Sequence, residues 1–471
     1  MAMSDPKSLP QMSDPKLDET IIAISTPFGY GGLGIVRLSG KRSLAIAKKI
    51  FKPKKKKSFK ILPRAVVLGN IFNFEQKELF DEGYLTFFPA PHSYTTENMV
   101  EISCHGSPVI LEEVVRLGIK AGARLAHPGE FTLRAYLRGR IDILQAEAVN
   151  DLIQATSLQH ARVSFSQIQG KLSQKISSLR SKIVHVLAQI EASLEFPDEG
   201  LPISSRQIAK TMDEMIYSIR RLIDSYDIGK ILAEGLSLAI TGRTNVGKST
   251  LFNSLLEKER AIVTPFPGTT RDYLEERIKI RDSIFKLIDM AGLARTAHPV
   301  EEEGVRRGEK IASQADGLLL IFDASRKETS EDVKLAIRFK NKKALFLFNK
   351  IDLPRKINKK KILALNRNPR YLEISALKGT NLDKLKELIY EFFVPPLKNG
   401  EEIILHLRQK LLLEEIHSFL TRALELLRLR YPEEIWAEEV RKIIPLIGQL
   451  TGEIKVDEII EAIFSRFCVG K

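Results

Sequence analysis

One stretch, GRTNVGKST at residues 242–250, constrains this chain more than any other. The apolar run at residues 236–240 precedes it, and Leu251, Phe252, Leu255 and Leu256 follow at helical spacing. An apolar run, a glycine-rich loop and a helical pattern read as strand, loop and helix. That is the context in which G-x-x-x-x-G-K-[ST] cradles phosphate. Gly242 and Gly247 let the backbone curl so that successive N–H groups point inward at an anion. The following helix turns its positive N-terminal end toward the same anion. Asn245, Val246, Gly247, Lys248, Ser249 and Thr250 are thus candidate nucleotide contacts. Lys248 reaches for the β/γ-phosphates and the Ser249 hydroxyl for Mg²⁺.

Four further motifs follow in order. PGTTRD, residues 267–272, places Thr270 to coordinate Mg²⁺ and sense a γ-phosphate in a switch loop. FKLIDMAG, residues 285–292, is an apolar strand ending in Asp289, with the Gly292 N–H next to the γ-phosphate. ALFLFNKID, residues 344–352, ends in the N-x-x-D frame of Asn349, Lys350 and Asp352. The Asp352 carboxylate accepts from both donors of a guanine edge, a pair that adenine lacks. ISALKG, residues 374–379, contributes Ser375 and offers the Ala376 N–H to the guanine carbonyl. Together the motifs point to GTP.

Leu293 stands where many GTPases carry a water-orienting glutamine, and leucine cannot orient water. Either hydrolysis is slow or another group serves. Asn245 can ligate a monovalent cation beside the phosphates. Glu301 can position water. From the residues alone, loop stabilisation is the lesser alternative for Asn245, whereas the charge pattern around Glu301 favours a solvated run with Glu302 and Glu303.

The 471 residues suffice for two to four domains. Residues from about 20 to 88 read as β-rich, followed by a strand at VEISCHG and a helix at residues 108–118. From about residue 131 to 221 the pattern is that of amphipathic helices, interrupted at Pro197 and Gly200. A helix at roughly residues 205–226 then leads into the phosphate loop. Helical periodicity returns over about 401–467. Two helical segments therefore flank the nucleotide domain. Packing them together as one helical domain is the economical arrangement; two small bundles are the alternative.

The formal charge of +14 suits a polyanionic partner. The basic runs at residues 52–60 and 355–361 fit either solvated loops or nucleic-acid contact. No apolar run approaches the roughly 20 residues of a membrane span. Residues 1–17 are polar, lack a signal-peptide core and read as a flexible leader, so the expected location is cytoplasmic. Two cysteines argue against a disulfide scaffold.

The strings at residues 18–40, 97–110 and 127–153, the nucleotide motifs and the terminal FSRFCVGK together resemble the MnmE (TrmE) family of tRNA-modifying GTPases. The resemblance runs from about residue 18 to 471. It implies a multidomain α/β chain. An α+β N-terminal domain, 18–137, binds a tetrahydrofolate derivative (5-formyl or methylene form) and forms a homodimer. A helical domain comprises 138–232 and 393–471, and a Ras-like α/β P-loop G domain, 233–392, is inserted in it. It further implies a flavoprotein partner, MnmG (GidA), in a heterotetramer. The two would add an aminomethyl or carboxymethylaminomethyl group at C5 of the wobble uridine of certain tRNAs. K⁺-dependent pairing of G domains would activate hydrolysis.

By position, Asn245, Thr269 and the carbonyls of Thr264 and Phe266 match the K⁺ site, with Thr264 and Thr269 also beside GTP. Ser249 and Thr270 match the Mg²⁺ ligands, and Glu301 the catalytic residue that positions water. Arg37, Glu101, Arg140 and Lys471 match the folate contacts. Met290 and Thr244 depart from the family's usual Thr and Pro, which predicts altered loop rigidity. Two rival readings stay open: a GTPase of ribosome assembly, and a folate-dependent transferase that GTP merely regulates.

Overall fold

The computed structural model describes residues 15–54, 62–195, 205–259, 275–289, 312–394, 402–454, 457–465, 467, 468 and 470. The expected leader lies outside them except at its end, where Pro15–Asp18 forms a 3-10 turn.

Seven strands form the first sheet: β1 (Ile21–Ile24), β2 (Gly31–Ser39), β3 (Phe51–Pro53), β4 (Val66–Asn73), β5 (Glu78–Phe88), β6 (Met99–Gly106) and β7 (Arg124–Leu125). Their order is β3-β4-β5-β6-β2-β1-β7, antiparallel except for β1 with β7. Alternation decides the two faces. Val36, Leu38, Val100, Ile102 and Cys104 point into a core shared with the helices Ser43–Ile50 and Pro108–Lys120. Arg37 and Glu101, register partners across β2 and β6, therefore stand on the opposite face. The stretch over residues 20–88 is β-rich as expected, with the helix Ser43–Ile50 added to it. The buried Ile46, Ala47 and Ile50 of that helix span little more than one turn, too short a window for the helical period to stand out.

The same compact unit, Met1–Ile153, Ser164–Ile216 and Glu415–Lys471, holds helices from both ends of the chain. Lys171–Glu195 buries Leu172, Ile176, Leu179, Ile183, Val186 and Ile190, a stripe at spacings of three and four. Glu433–Arg441 and Ile443–Thr451 pack on that helix, so the segments flanking the nucleotide region share one core.

The second unit, Gln154–Val163 and Tyr217–Glu414, contains a six-stranded sheet. Its strands are β8 (Leu236–Gly242), β9 (Glu275–Ile280), β10 (Ser283–Asp289), β11 (Gly317–Asp323), β12 (Ala344–Asn349) and β13 (Arg370–Glu373). The order is β13-β12-β11-β8-β10-β9, parallel except for β9 with β10. Continuous apolar runs suit strands buried on both faces. In β12, Leu345 and Leu347 enter one core with the helices Lys248–Glu259 and Leu382–Phe393, while Phe346 and Phe348 enter the other. Strand order reverses at β8, between β10 and β11, and such switch points open a crevice at the carboxyl ends of the strands.

The helix expected at residues 205–226 runs on to Glu234, because Leu232 is buried with Ile403 and Leu405. The second basic run is largely paired: Arg355 and Lys359 with Glu373, and Lys361 with Glu328. Most of the first run lies outside the described residues.

Candidate functional site

The phosphate loop joins the end of β8 to the helix Lys248–Glu259. Asn245 at φ 62° and Gly247 at φ 99° give the positive dihedrals that curl the loop. A Cβ at Gly247 would overlap Nδ2 of Asn349. Lys248 Nζ donates to the carbonyls of Gly242 (2.9 Å) and Arg243 (2.7 Å), both within the loop. Burial lowers the pKa of this ammonium, against the opposing pull of the Asp289 carboxylate. Asp289 ends β10 in register with Ile240 of β8, which brings it to the loop. The Ser249 hydroxyl donates to Asp289 Oδ2 at 3.1 Å. A hydroxyl beside a carboxylate is a hard-oxygen donor set and fits Mg²⁺. Thr250 lies in the first turn of the same helix, exposed.

The other half of the site hangs from β12 and the segment after β13. Asn349, 2% exposed, donates Nδ2–H to the Val246 carbonyl at 2.8 Å. Its Oδ1 accepts from the Ala376 N–H at 2.9 Å. The Ala376 N–H is the donor expected for a guanine carbonyl, and in this structure it meets Asn349. The amide of a buried asparagine needs partners at both ends, and this N–H is the one at hand. Asp352 is exposed, and its Oδ1 accepts from the buried Ser375 hydroxyl at 2.6 Å. Ser375 Oγ in turn accepts from the Lys378 N–H at 3.2 Å. Lys350 Nζ donates to the Asn245 carbonyl at 2.6 Å and to Asp323 Oδ2 at 2.7 Å.

Asp323 was not among the expected residues. Burial raises its pKa, but the Lys350 and Ser325 hydrogen bonds outweigh that and hold the carboxyl below its ordinary value. A signal existed: GLLLIFD ends in aspartate just as FKLID does, and both are strands of one parallel sheet.

In the first unit Arg37 meets Glu101, with Nε at 2.9 Å and Nη2 at 2.7 Å from Oε1. Arg37 Nη1 also donates to the Gly470 carbonyl at 3.4 Å, and its guanidinium lies 5.8 Å from the Phe131 ring centroid. Arg140 donates to the Ser93 carbonyl at 2.9 Å and lies 5.0 Å from the Tyr94 ring. Tyr94 packs with Phe131, and both cations act on its hydroxyl, whose pKa burial raises. Two cations, a carboxylate and the partly buried Tyr94 ring thus gather over the buried Phe131, a set that suits a flat heterocycle bearing carboxylates. Behind it lies a buried ion network that sequence reasoning missed. Arg134, 1% exposed, bonds Glu130, Glu97 and the Glu19 carbonyl, and Glu97 also accepts from Ser39.

Thr264, Phe266, Thr269, Thr270, Gly292, Glu301 and Lys471 lie outside the described residues. Among the described residues no helix is long and apolar enough to cross a membrane.

A phosphate loop at the switch point of a parallel sheet, with Asn-Lys-x-Asp and Ser-Ala segments at neighbouring strand ends, defines a P-loop GTPase. Comparison with known proteins narrows the class. The family model described as "MnmE helical domain" matches residues 143–468, and "GTP-binding protein TrmE N-terminus" matches residues 20–140. The chain is 41% identical over 455 residues to the tRNA modification GTPase MnmE of Aquifex aeolicus (strain VF5), covering 96% of this chain and 100% of that protein. It is 39% identical over 457 residues to the MnmE of Thermoanaerobacter sp. (strain X514), covering 96% and 99%. Among solved structures it is similar to the G domain of the T. maritima FeoB iron transporter. That likeness has 26% identity over 33% of this chain and 98% of that chain, with a TM-score of 0.26. The chain belongs to the MnmE family of tRNA modification GTPases, and it is a GTP-hydrolysing enzyme.

Proposed function

We propose that this GTPase drives C5 modification of the wobble uridine in certain tRNAs, together with the flavoprotein MnmG (GidA). The modification added is an aminomethyl or carboxymethylaminomethyl group. The carrying observation is the joined phosphate and base side of one nucleotide site, in which Asn349 and Lys350 hold the phosphate loop. GTP and Mg²⁺ bind there, with Ser249 and Thr270 on the metal. Asn245, Thr264, Phe266 and Thr269 hold K⁺, which pairs the G domains, and Glu301 aligns water. The pairing of Arg37 with Glu101, and of Arg140 with Tyr94, supports a tetrahydrofolate derivative, 5-formyl or methylene, on the first sheet, with Lys471 completing the site. The G domain spans about residues 233–392, inserted in a helical domain that follows an N-terminal folate and dimerisation domain. The assembly is a homodimer that joins MnmG as a heterotetramer in the cytoplasm.

The test is GTP turnover in K⁺ and in Na⁺, with Asn245→Ala and Glu301→Ala alongside. Strong K⁺ dependence, lost in both variants, supports the cation-assembled mechanism. Equal rates in the two salts refute it. Asp352→Asn tests the base assignment separately, since an amide cannot accept from both guanine donors. The variant is expected to lose GTP and to take XTP.

A further inference from the structure

The Asn-Lys pair that ends β12 grips two consecutive carbonyls of the phosphate loop. Lys350 Nζ takes Asn245 O at 2.6 Å, and Asn349 Nδ2 takes Val246 O at 2.8 Å. In a planar trans peptide the C=O and N–H bonds point in opposite directions. Fixing the Asn245 carbonyl on Lys350 therefore turns the Val246 N–H away from Lys350. Fixing the Val246 carbonyl does the same for the Gly247 N–H. Both donors belong to the loop that receives the phosphates.

The two grips are supported differently. Asn349 is short, buried and held at its far end by the Ala376 N–H. Lys350 is long, and its side chain is 28% exposed. A lysine left to itself samples many rotamers. What fixes this one is Asp323, whose Oδ2 lies 2.7 Å from Nζ. The Asp323 side chain is 9% exposed. Its Oδ1 accepts from the Ser325 N–H at 2.9 Å and from the Ser325 hydroxyl at 2.6 Å. Strand register sets Asp323 opposite Asn349, and the Ala324 N–H bonds the Asn349 carbonyl at 2.8 Å. Arg326, 3.9 Å away and mostly exposed, is the other cation facing the carboxylate.

We propose that Asp323 is a positioning residue for nucleotide binding: it pins Lys350 to the Asn245 carbonyl and so aims the Val246 N–H at the phosphates. The inference rests on the reading of this loop as the GTP site. The effect of Asp323 on the nucleotide runs through Lys350 on Oδ2, whereas its Ser325 bonds on Oδ1 belong to the local fold, so the two roles are separable by variant.

The test uses the full chain without nucleotide. Affinity for a fluorescent GDP, KM and kcat for GTP, and melting temperature are measured for wild type, Asp323→Ala, Lys350→Met and the double variant. Losing one charge-assisted bond is expected to weaken nucleotide binding by about tenfold. KM rises in step, while kcat at saturating GTP stays within about twofold of wild type. In the Lys350→Met background, Asp323→Ala changes affinity by less than about twofold, because its route is already gone. If Asp323→Ala fails to fold, Asp323→Asn removes the charge while keeping an acceptor for Ser325, and the same cycle is run with it. Wild-type affinity in the variant, an equal loss in both backgrounds, or a fall in kcat with unchanged KM overturns the proposal. If wild type itself does not bind the GDP probe, the GTP-site reading falls. If wild type binds and the Asp323 variants match it, only the positioning role falls.

Discussion

Gly247→Ala is a sharp test of how the two halves of the nucleotide site depend on each other. The residue sits at φ 99°, where a side chain with a Cβ costs about 1–2 kcal/mol. The new Cβ overlaps Asn349 Nδ2. Asn349 cannot step aside cheaply, since it is 2% exposed and bonded at both ends of its amide. Displacing it leaves the Val246 carbonyl and the Ala376 N–H without partners, at about 1–3 kcal/mol each. Together this comes to about 3–8 kcal/mol, a large part of the roughly 5–15 kcal/mol that keeps a domain folded. Gly379→Ala is the control: φ is 72°, but nothing lies within 4 Å of the added Cβ, so only the dihedral cost of about 1–2 kcal/mol applies. The chain's single tryptophan, Trp436, belongs to the other unit and does not report on this one. Hydrogen exchange of the β8 and β12 amides in nucleotide-free protein does. Expected is a drop in their opening free energy at least about 2 kcal/mol larger for Gly247→Ala than for Gly379→Ala. If the two variants agree within about 0.5 kcal/mol, the interlock between loop and Asn349 is wrong.

Arg134→Met leaves Glu130 and Glu97 short of a buried cation. It is expected to destabilise the first unit by about 3–5 kcal/mol, read from melting followed by Trp436 fluorescence. Burial raises the pKa of Glu130, but Arg124 and Arg134 outweigh it and hold the carboxyl below its ordinary 4.5. The stability it contributes is therefore present above pH 4.5 and is lost as pH falls through the lower folded value. Glu130→Gln is expected to flatten that acid limb in urea titrations, while a limb as steep as wild type would contradict it. Burial, helped by Asp81, pushes the Cys104 thiol up to about 12, whereas Cys468 is exposed. Iodoacetamide at about pH 8 should modify Cys468 and spare Cys104 in the folded protein, as peptide mass mapping would show.

The nucleotide site was legible because its chemistry is written at strand ends. Gly242, Asp289 and Asn349 each close an apolar run, and a parallel sheet brings such ends to one edge. Asp323 follows the same rule and was passed over because it belongs to no nucleotide motif, only to a strand. The partner of the Ala376 N–H was not legible, since it depends on where a buried amide finds its second bond. Nothing in the local sequence sets Arg134, Glu130 and Glu97 apart from the many other charges of the chain. Their burial depends on strands and helices more than thirty residues apart meeting, which local pattern does not encode. The helix Ser43–Ile50 was hidden by its length. The end of the helix Ser205–Glu234 was hidden because its last turn packs on residues near 404.

The carbonyl of Gly470 accepts from both the Ser25 hydroxyl and Arg37, 445 and 433 positions away. On a growing chain these partners are separated by the whole nucleotide unit. At about 5–20 residues per second, the first sheet waits about 20 to 90 s for its last contact. During that interval Arg37 and Glu101 can already pair, but the Gly470 carbonyl is not yet there to accept from Arg37 and Ser25. The most widely spaced parts of the chain are thus joined last, after residues 217–414 have had time to fold, and the candidate folate face is finished only once Gly470 has been made.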